Sequence, residues 1–180
     1  MLYEGVKTVE AVSWMCSLAA TILGLCEPFN KKMKTVLVFS LMGNLLVGIS
    51  YILTGGFSGA VICFTAAVQL LINYSYASKG KTLPKGWVWV HTVAFLAVNL
   101  ITFRAWYDVL SLVAAMLFVV SVAQTNTKHY RLLYISNSGL WILYDTLAKA
   151  YANLITHVVL FVAIGIAIYI RDKKVSELKG

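Results

Sequence analysis

Seven apolar runs, at roughly 8–27, 36–53, 57–76, 87–103, 106–124, 132–147 and 152–170, divide the chain with little left between them. Runs of this kind predict membrane-crossing helices, which need about 20 apolar residues each. The breaks alternate in character. Asn30-Lys31-Lys32-Met33-Lys34, the stretch from Lys79 to Lys85 and Lys128-His129-Tyr130-Arg131 are basic, whereas Thr54-Gly55-Gly56 and Ala148-Lys149-Ala150 are short and nearly uncharged.

That alternation sets an orientation. Twelve of the fifteen Lys and Arg residues fall in the first, third and fifth breaks and the tail from Arg171; Lys7, Arg104 and Lys149 are the exceptions. Basic residues collect on the cytoplasmic side, so the expectation is N-out and C-in, and an odd number of spans. Six or eight spans would scatter the basic loops over both faces. The lysines serve as orientation signals in this reading and are given no chemistry.

Composition agrees with the pattern. The 180 residues are 60% hydrophobic and 12% charged, against about half and about a quarter in a soluble domain. The expected class is therefore an all-α integral membrane protein with no room for a soluble domain. A net charge of +8 would suggest nucleic acid in a soluble protein; here it belongs to topology, and no nucleic-acid partner is expected. There is no phosphate-binding G-x-x-x-x-G-K-[ST] loop. Cys16, Cys26 and Cys63 lack zinc or disulfide spacing and read as small core residues. The start MLYEGVKTVE has no basic n-region or small-residue cleavage site, so the first helix is expected to stay.

The two halves resemble each other. Asn44 to Tyr51, followed by Thr54-Gly55-Gly56-Phe57-Ser58-Gly59, aligns with Asn137 to Tyr144, followed by Ala148 to Asn153, with one residue inserted. Spans one to three thus correspond to spans five to seven. A single linker span between them makes the repeat parallel, in a 3+1+3 layout. The expected units are residues 1–77 as a first triple-helix bundle, 78–104 as a linker helix, and 105–180 as a second bundle with a basic cytoplasmic tail.

The run Asn137-Ser-Gly-Leu-Trp141-Ile-Leu-Tyr144-Asp145, with its turn and final helix, resembles the sixth and seventh helices of the SWEET and PnuC transporters. Length, seven spans and a Lys-rich first loop before a Gly-bearing hairpin most resemble the YgjV-type bacterial inner-membrane proteins. That resemblance implies a multi-pass protein of a bacterial-type inner (cytoplasmic) membrane. The SWEET and PnuC resemblance implies a carrier for a small polar solute, such as a sugar, nucleoside or vitamin-like compound, moved down its gradient by alternating access; the YgjV-type resemblance implies no particular substrate. The chain departs from the SWEET pattern, because Pro28 and Pro84 lie at span ends and no span has an internal proline hinge.

Candidate solute contacts are polar and aromatic residues at depth. Asn44 and Asn137 are repeat-related amides that can bind a solute or join helices. Trp141 and Tyr144 follow Asn137 along one helical stripe, and Tyr51 is the counterpart of Tyr144. Tyr144 can equally belong to an interfacial aromatic belt. The resemblance points to Asn73 in the third helix, although its repeat partner is Ala167. His157 can bind solute, carry a proton or support packing. His91 and Asn99 in the linker are assigned to packing. Asp108 and Asp145 are read as surface acids beside Arg104 and Lys149, so no deep carboxylate is expected and passive transport is favoured over coupling. No catalytic, metal or cofactor site is expected, and the chain is not read as an enzyme. Its partners are the solute and the lipid bilayer, with a homo-oligomer allowed. A non-transporting scaffold or accessory protein is the alternative.

Overall fold

The computed structural model describes the backbone of residues 2–173 and the side chains of residues 8–171. The side chains of Lys7, Lys173, Lys174 and Lys179, which enter the charge count, lie outside the described residues. Seven α-helices follow one another: α1 (Leu2–Cys26), α2 (Met33–Leu53), α3 (Phe57–Ser78), α4 (Lys85–Thr102), α5 (Asp108–Val122), α6 (Thr127–Ala148) and α7 (Tyr151–Ile168). A π-helical turn, Tyr169–Lys173, extends α7.

Local chemistry accounts for the breaks. Gly55 takes φ +78° after α2, a conformation that a Cβ disfavours, and the Gly56 N–H returns to the Tyr51 carbonyl at 2.7 Å. The turn after α6 has the same form without glycine: Lys149 takes φ 57°, and the Ala150 N–H returns to the Asp145 carbonyl at 2.9 Å. One expected break is displaced. Asn126 caps α6 by accepting the Lys128 N–H, so Lys128 to Arg131 are the first turns of a helix and not a loop. Arg131, counted as a solvated orientation charge, is buried and donates to the Pro28 carbonyl.

Among the described residues, four helices are long and apolar enough to cross a membrane: α1, α2, α3 and α7. The apolar α5 has 15 residues, about 22 Å at 1.5 Å per residue, and α6 carries polar groups along much of its length. Side-chain placement is that of a lipid-facing bundle. Met15, Leu18, Val93 and Ile101 point outward at 61–83% exposure or more than half exposed, while Ser50, Gln69, Asn137, Asp145 and Asn153 are buried. Hydrocarbon offers no hydrogen bonds, so polar groups turn inward and apolar ones outward.

The helices close into a ring. In the first half α2 packs on both α1 and α3; in the second, α6 packs on both α5 and α7. The halves meet where α1 touches α7 and α3 touches α5, and α4 lies against α3 and α5. Small residues permit the close approaches, as membrane helix packing requires. A Cβ on Gly24 would come within 2.7 Å of Leu160, and one on Gly48 within 3.2 Å of Cys63.

Candidate functional site

The ring encloses a cavity of about 60 Å³, room for a few waters. Helix α2 supplies Ser40, Gly43, Asn44, Val47 and Tyr51, and α6 supplies Tyr134, Asn137 and Trp141. These positions recur every three or four residues, which puts each set on one stripe of its helix. Glu27, Cys63, Thr156 and His157 also line the space, and Phe95 reaches it from α4.

A buried carboxylate stands at each end. Asp145, fully buried, accepts the Tyr51 hydroxyl at 2.7 Å on Oδ1 and lies 2.6 Å from His157 Nδ1 on Oδ2. Glu27, in the turn after α1, accepts the Ser40 hydroxyl at 2.7 Å and the Tyr130 hydroxyl at 2.6 Å. Tyr130 and Asp145 are fifteen residues apart on one helix, about 22 Å along its axis. The two bonds are reciprocal. At one end a tyrosine of the first half reaches an acid of the second; at the other, a tyrosine of the second half reaches an acid of the first.

Both acids are buried inside the protein, although each stands at a helix end, Glu27 in the turn after α1 and Asp145 in the last turn of α6. Asp145 was assigned to a surface pair with Lys149, but Lys149 is exposed and the carboxylate turns inward. Asp108 is buried too, and its Oδ2 accepts the backbone N–H groups of Arg104 and Ala105, fixing the turn before α5. The Arg104 guanidinium instead lies over the Phe57 ring.

The aromatic candidates gather at the Asp145 end. The Trp141 and His157 rings stack with centroids 5.6 Å apart and planes 12° apart. Trp141 meets Tyr144 edge-on at 5.3 Å and Tyr51 at 6.4 Å. Tyr51 fits because Gly56 and Gly59 have no side chains: a Cβ on either would fall 2.8–2.9 Å from its ring. Tyr144 is buried, shares a hydrogen bond with Ser58 and faces a second space beyond Tyr51, lined also by Glu10, Thr54 and Lys149. Tyr51 lines both spaces.

The amides are placed differently. Asn137 donates to the Ala114 carbonyl at 2.6 Å, and Asn44 donates to Ser40 one turn back in its own helix. Both line the central cavity, midway between the acids. Asn73 lies outside it, donating to the Val122 carbonyl at the floor of a separate basic pocket with Lys32, Lys34 and Lys81. His91 stacks on Trp87, and Asn99 accepts from Ser111; both belong to the packing of α4. Among the cysteines, Cys63 is buried against the cavity, while Cys26 is exposed, contrary to the core role expected for it.

A polar seam joins α1, α2 and α7. Ser13 and Ser17 share hydrogen bonds with Ser50 at 2.8 and 2.9 Å, Ser17 donates to Asn153 at 2.9 Å, and Thr21 donates to Thr156 at 2.8 Å. Hydroxyls at 13, 17 and 21 form a visible stripe in the sequence, one per turn, whereas nothing local marks Glu27 as buried.

A family described as bacterial inner membrane protein, Imp-YgjV, matches residues 12–174. The chain belongs to this family. The match covers all seven helices apart from the first residues of α1, and with it the cavity and both acids. It places the protein in a bacterial inner membrane. No curated protein and no solved structure matches it.

Proposed function

We propose that the protein is an alternating-access carrier for a small polar solute, with seven spans in a parallel 3+1+3 arrangement of the SWEET and PnuC kind, N-out and C-in. The observation that carries this reading is a central cavity between two halves, with a tyrosine–carboxylate bond running from one half to the other near each end. Rocking the halves apart at one end breaks one bond and leaves the other closed, which is the requirement of alternating access. The matched positive-φ turns at Gly55 and Lys149, and the matched packing of α2 and α6, support the repeat.

In this orientation Tyr51–Asp145 is the outer gate and Tyr130–Glu27 the inner gate. Asn44 and Asn137 offer amides at mid-depth, and the Trp141 face suits a sugar or planar ring, while Tyr144 lines the outer approach. At about 60 Å³ the space is far below the roughly 300–1,000 Å³ of ligand pockets, so in this reading it must widen to admit its solute. The tethering of Asn137 to Ala114 favours the second reading, a scaffold in which the amide only joins helices.

Thermal unfolding of the purified protein against a panel of sugars, nucleosides, vitamins and amino acids tests the proposal, since a solute bound by the folded state raises its apparent stability. A compound that shifts the melt should enter proteoliposomes, and Asn137→Ala and Trp141→Ala should slow its entry. A folded protein that no compound stabilises, with both variants behaving as wild type, would favour the scaffold.

A further inference from the structure

A chain with no carboxylate deep in the membrane is expected to transport passively, yet the structure buries Asp145, near the end of α6, beside a histidine. We propose that Asp145 and His157 form a proton-binding site, and that the carrier moves its solute together with a proton. The inference rests on the carrier reading above and adds the coupling ion to it.

Charge balance is the first argument. Asp145 has no exposure, and an uncompensated carboxylate inside a bundle costs several kcal/mol. The Tyr51 hydroxyl and a neutral imidazole can hydrogen-bond the anion, but neither cancels its charge. One added proton does, giving either a carboxylic acid or an imidazolium–carboxylate pair of zero net charge. The sealed arrangement is therefore favoured with the proton bound, and disfavoured once it leaves.

Placement is the second. His157 turns Nδ1 toward Asp145 while its ring lines the central cavity, so the imidazole can take a proton on one nitrogen and release one from the other. Tyr51, bonded to the same carboxylate, lines both that cavity and the outer space. Opening the gate exposes the pair to outside water; opening the other end exposes it through the cavity. The parallel Trp141 ring holds the imidazole in place. The other ionisable groups nearby are Tyr51 on α2, Cys63 on α3 and Tyr144 on α6, with Glu10 and Lys149 lining the outer space and Glu27 at the far end of the cavity. None of these lies between His157 and Asp145.

The step conserves charge and atoms: a hydronium outside gives its proton to the pair and leaves water, and a water inside accepts that proton as the solute leaves. The test uses proteoliposomes containing a trapped pH dye and any panel compound that stabilises the protein. Adding that compound outside should acidify the lumen, and an acid-outside gradient should accumulate it at least tenfold. In Asp145→Asn the accumulation should fall at least tenfold further than solute counterflow, which needs no net proton movement. Wild-type entry that neither acidifies the lumen nor responds to the gradient would overturn the coupling.

Infrared difference spectra of the full-length protein in liposomes at two pH values test the site without a solute. A carboxyl or imidazole band present in wild type and missing from both Asp145→Asn and His157→Gln supports it; a wild-type spectrum without such a band overturns it. If no compound enters the liposomes, the carrier reading fails, and the infrared result alone decides the proton site.

Discussion

The two ends of the cavity solve one problem with different chemistry. At one, Glu27 is bonded by two hydroxyls, Ser40 and Tyr130; at the other, Asp145 is bonded by one hydroxyl and an imidazole. A hydroxyl shares its hydrogen without changing charge, whereas an imidazole can bring a whole proton. The first arrangement is suited to holding two halves together, and the second to holding them together conditionally. In the proposed carrier the tyrosines, which look interchangeable, therefore close gates of different kinds.

The largest effect that distinguishes the ends should come from removing the acids. Asp145→Ala leaves the Tyr51 hydroxyl and His157 without their shared partner and should cost about 2–5 kcal/mol, with about 1–3 kcal/mol for each buried donor left unsatisfied. Glu27→Gln keeps an oxygen for both hydroxyl donors and should cost less than half of that. Unfolding of the detergent-solubilised variants measures both, and equal losses would erase the distinction.

Next in size are the glycines behind Tyr51. Gly59→Ala puts a methyl group 2.9 Å from the ring and should destabilise the protein by about 1–3 kcal/mol through overpacking. The displaced ring should also open the outer gate. Cys63, buried on the cavity wall, reports this in a Cys16→Ser, Cys26→Ser background through faster labelling by an impermeant maleimide added outside.

Removing one hydroxyl at a time is milder. Tyr51→Phe and Tyr130→Phe should each cost about 1 kcal/mol, the net worth of one hydrogen bond. Their directions should be opposite: Cys63 becomes more reactive from outside in the first and from inside in the second. Acceleration from the same side in both would break the two-gate account. Smallest of all is Ser13→Ala in the seam, expected at about 0.6 kcal/mol, the average for a hydrogen bond between membrane helices, because Ser50 keeps its bond to Ser17.

Much of the helical order was legible because local signals punctuate it: Gly55-Gly56 after α2, Pro84 before α4, and long apolar runs between. The start of α6 was misread because Lys128 and Arg131 look like a loop, although Asn126 supplies the cap that starts the helix earlier. Aromatic candidates on one stripe, Trp141 with Tyr144, followed from helical periodicity, and the structure puts both at the Asp145 end. The acids were harder. Tyr51 lies 94 residues from Asp145, and Tyr130 lies 103 from Glu27. An acid four residues before a lysine reads as an exposed pair unless the distant tyrosine is known. Spacing along one helix gives a face, but only the closed ring says what that face meets.

The size of the central space gives the cycle a mechanical variable. In the proposed carrier, a cavity with room for a few waters when shut must take in many more, or a solute in their place, when it opens. Each turn of that proposed cycle would exchange water with the surrounding solution, and its open states would be the bulkier ones. Impermeant polymers that lower water activity draw water from such a space and push the population toward the shut form. Osmotic stress, with no ligand at all, becomes a handle on which state the protein occupies.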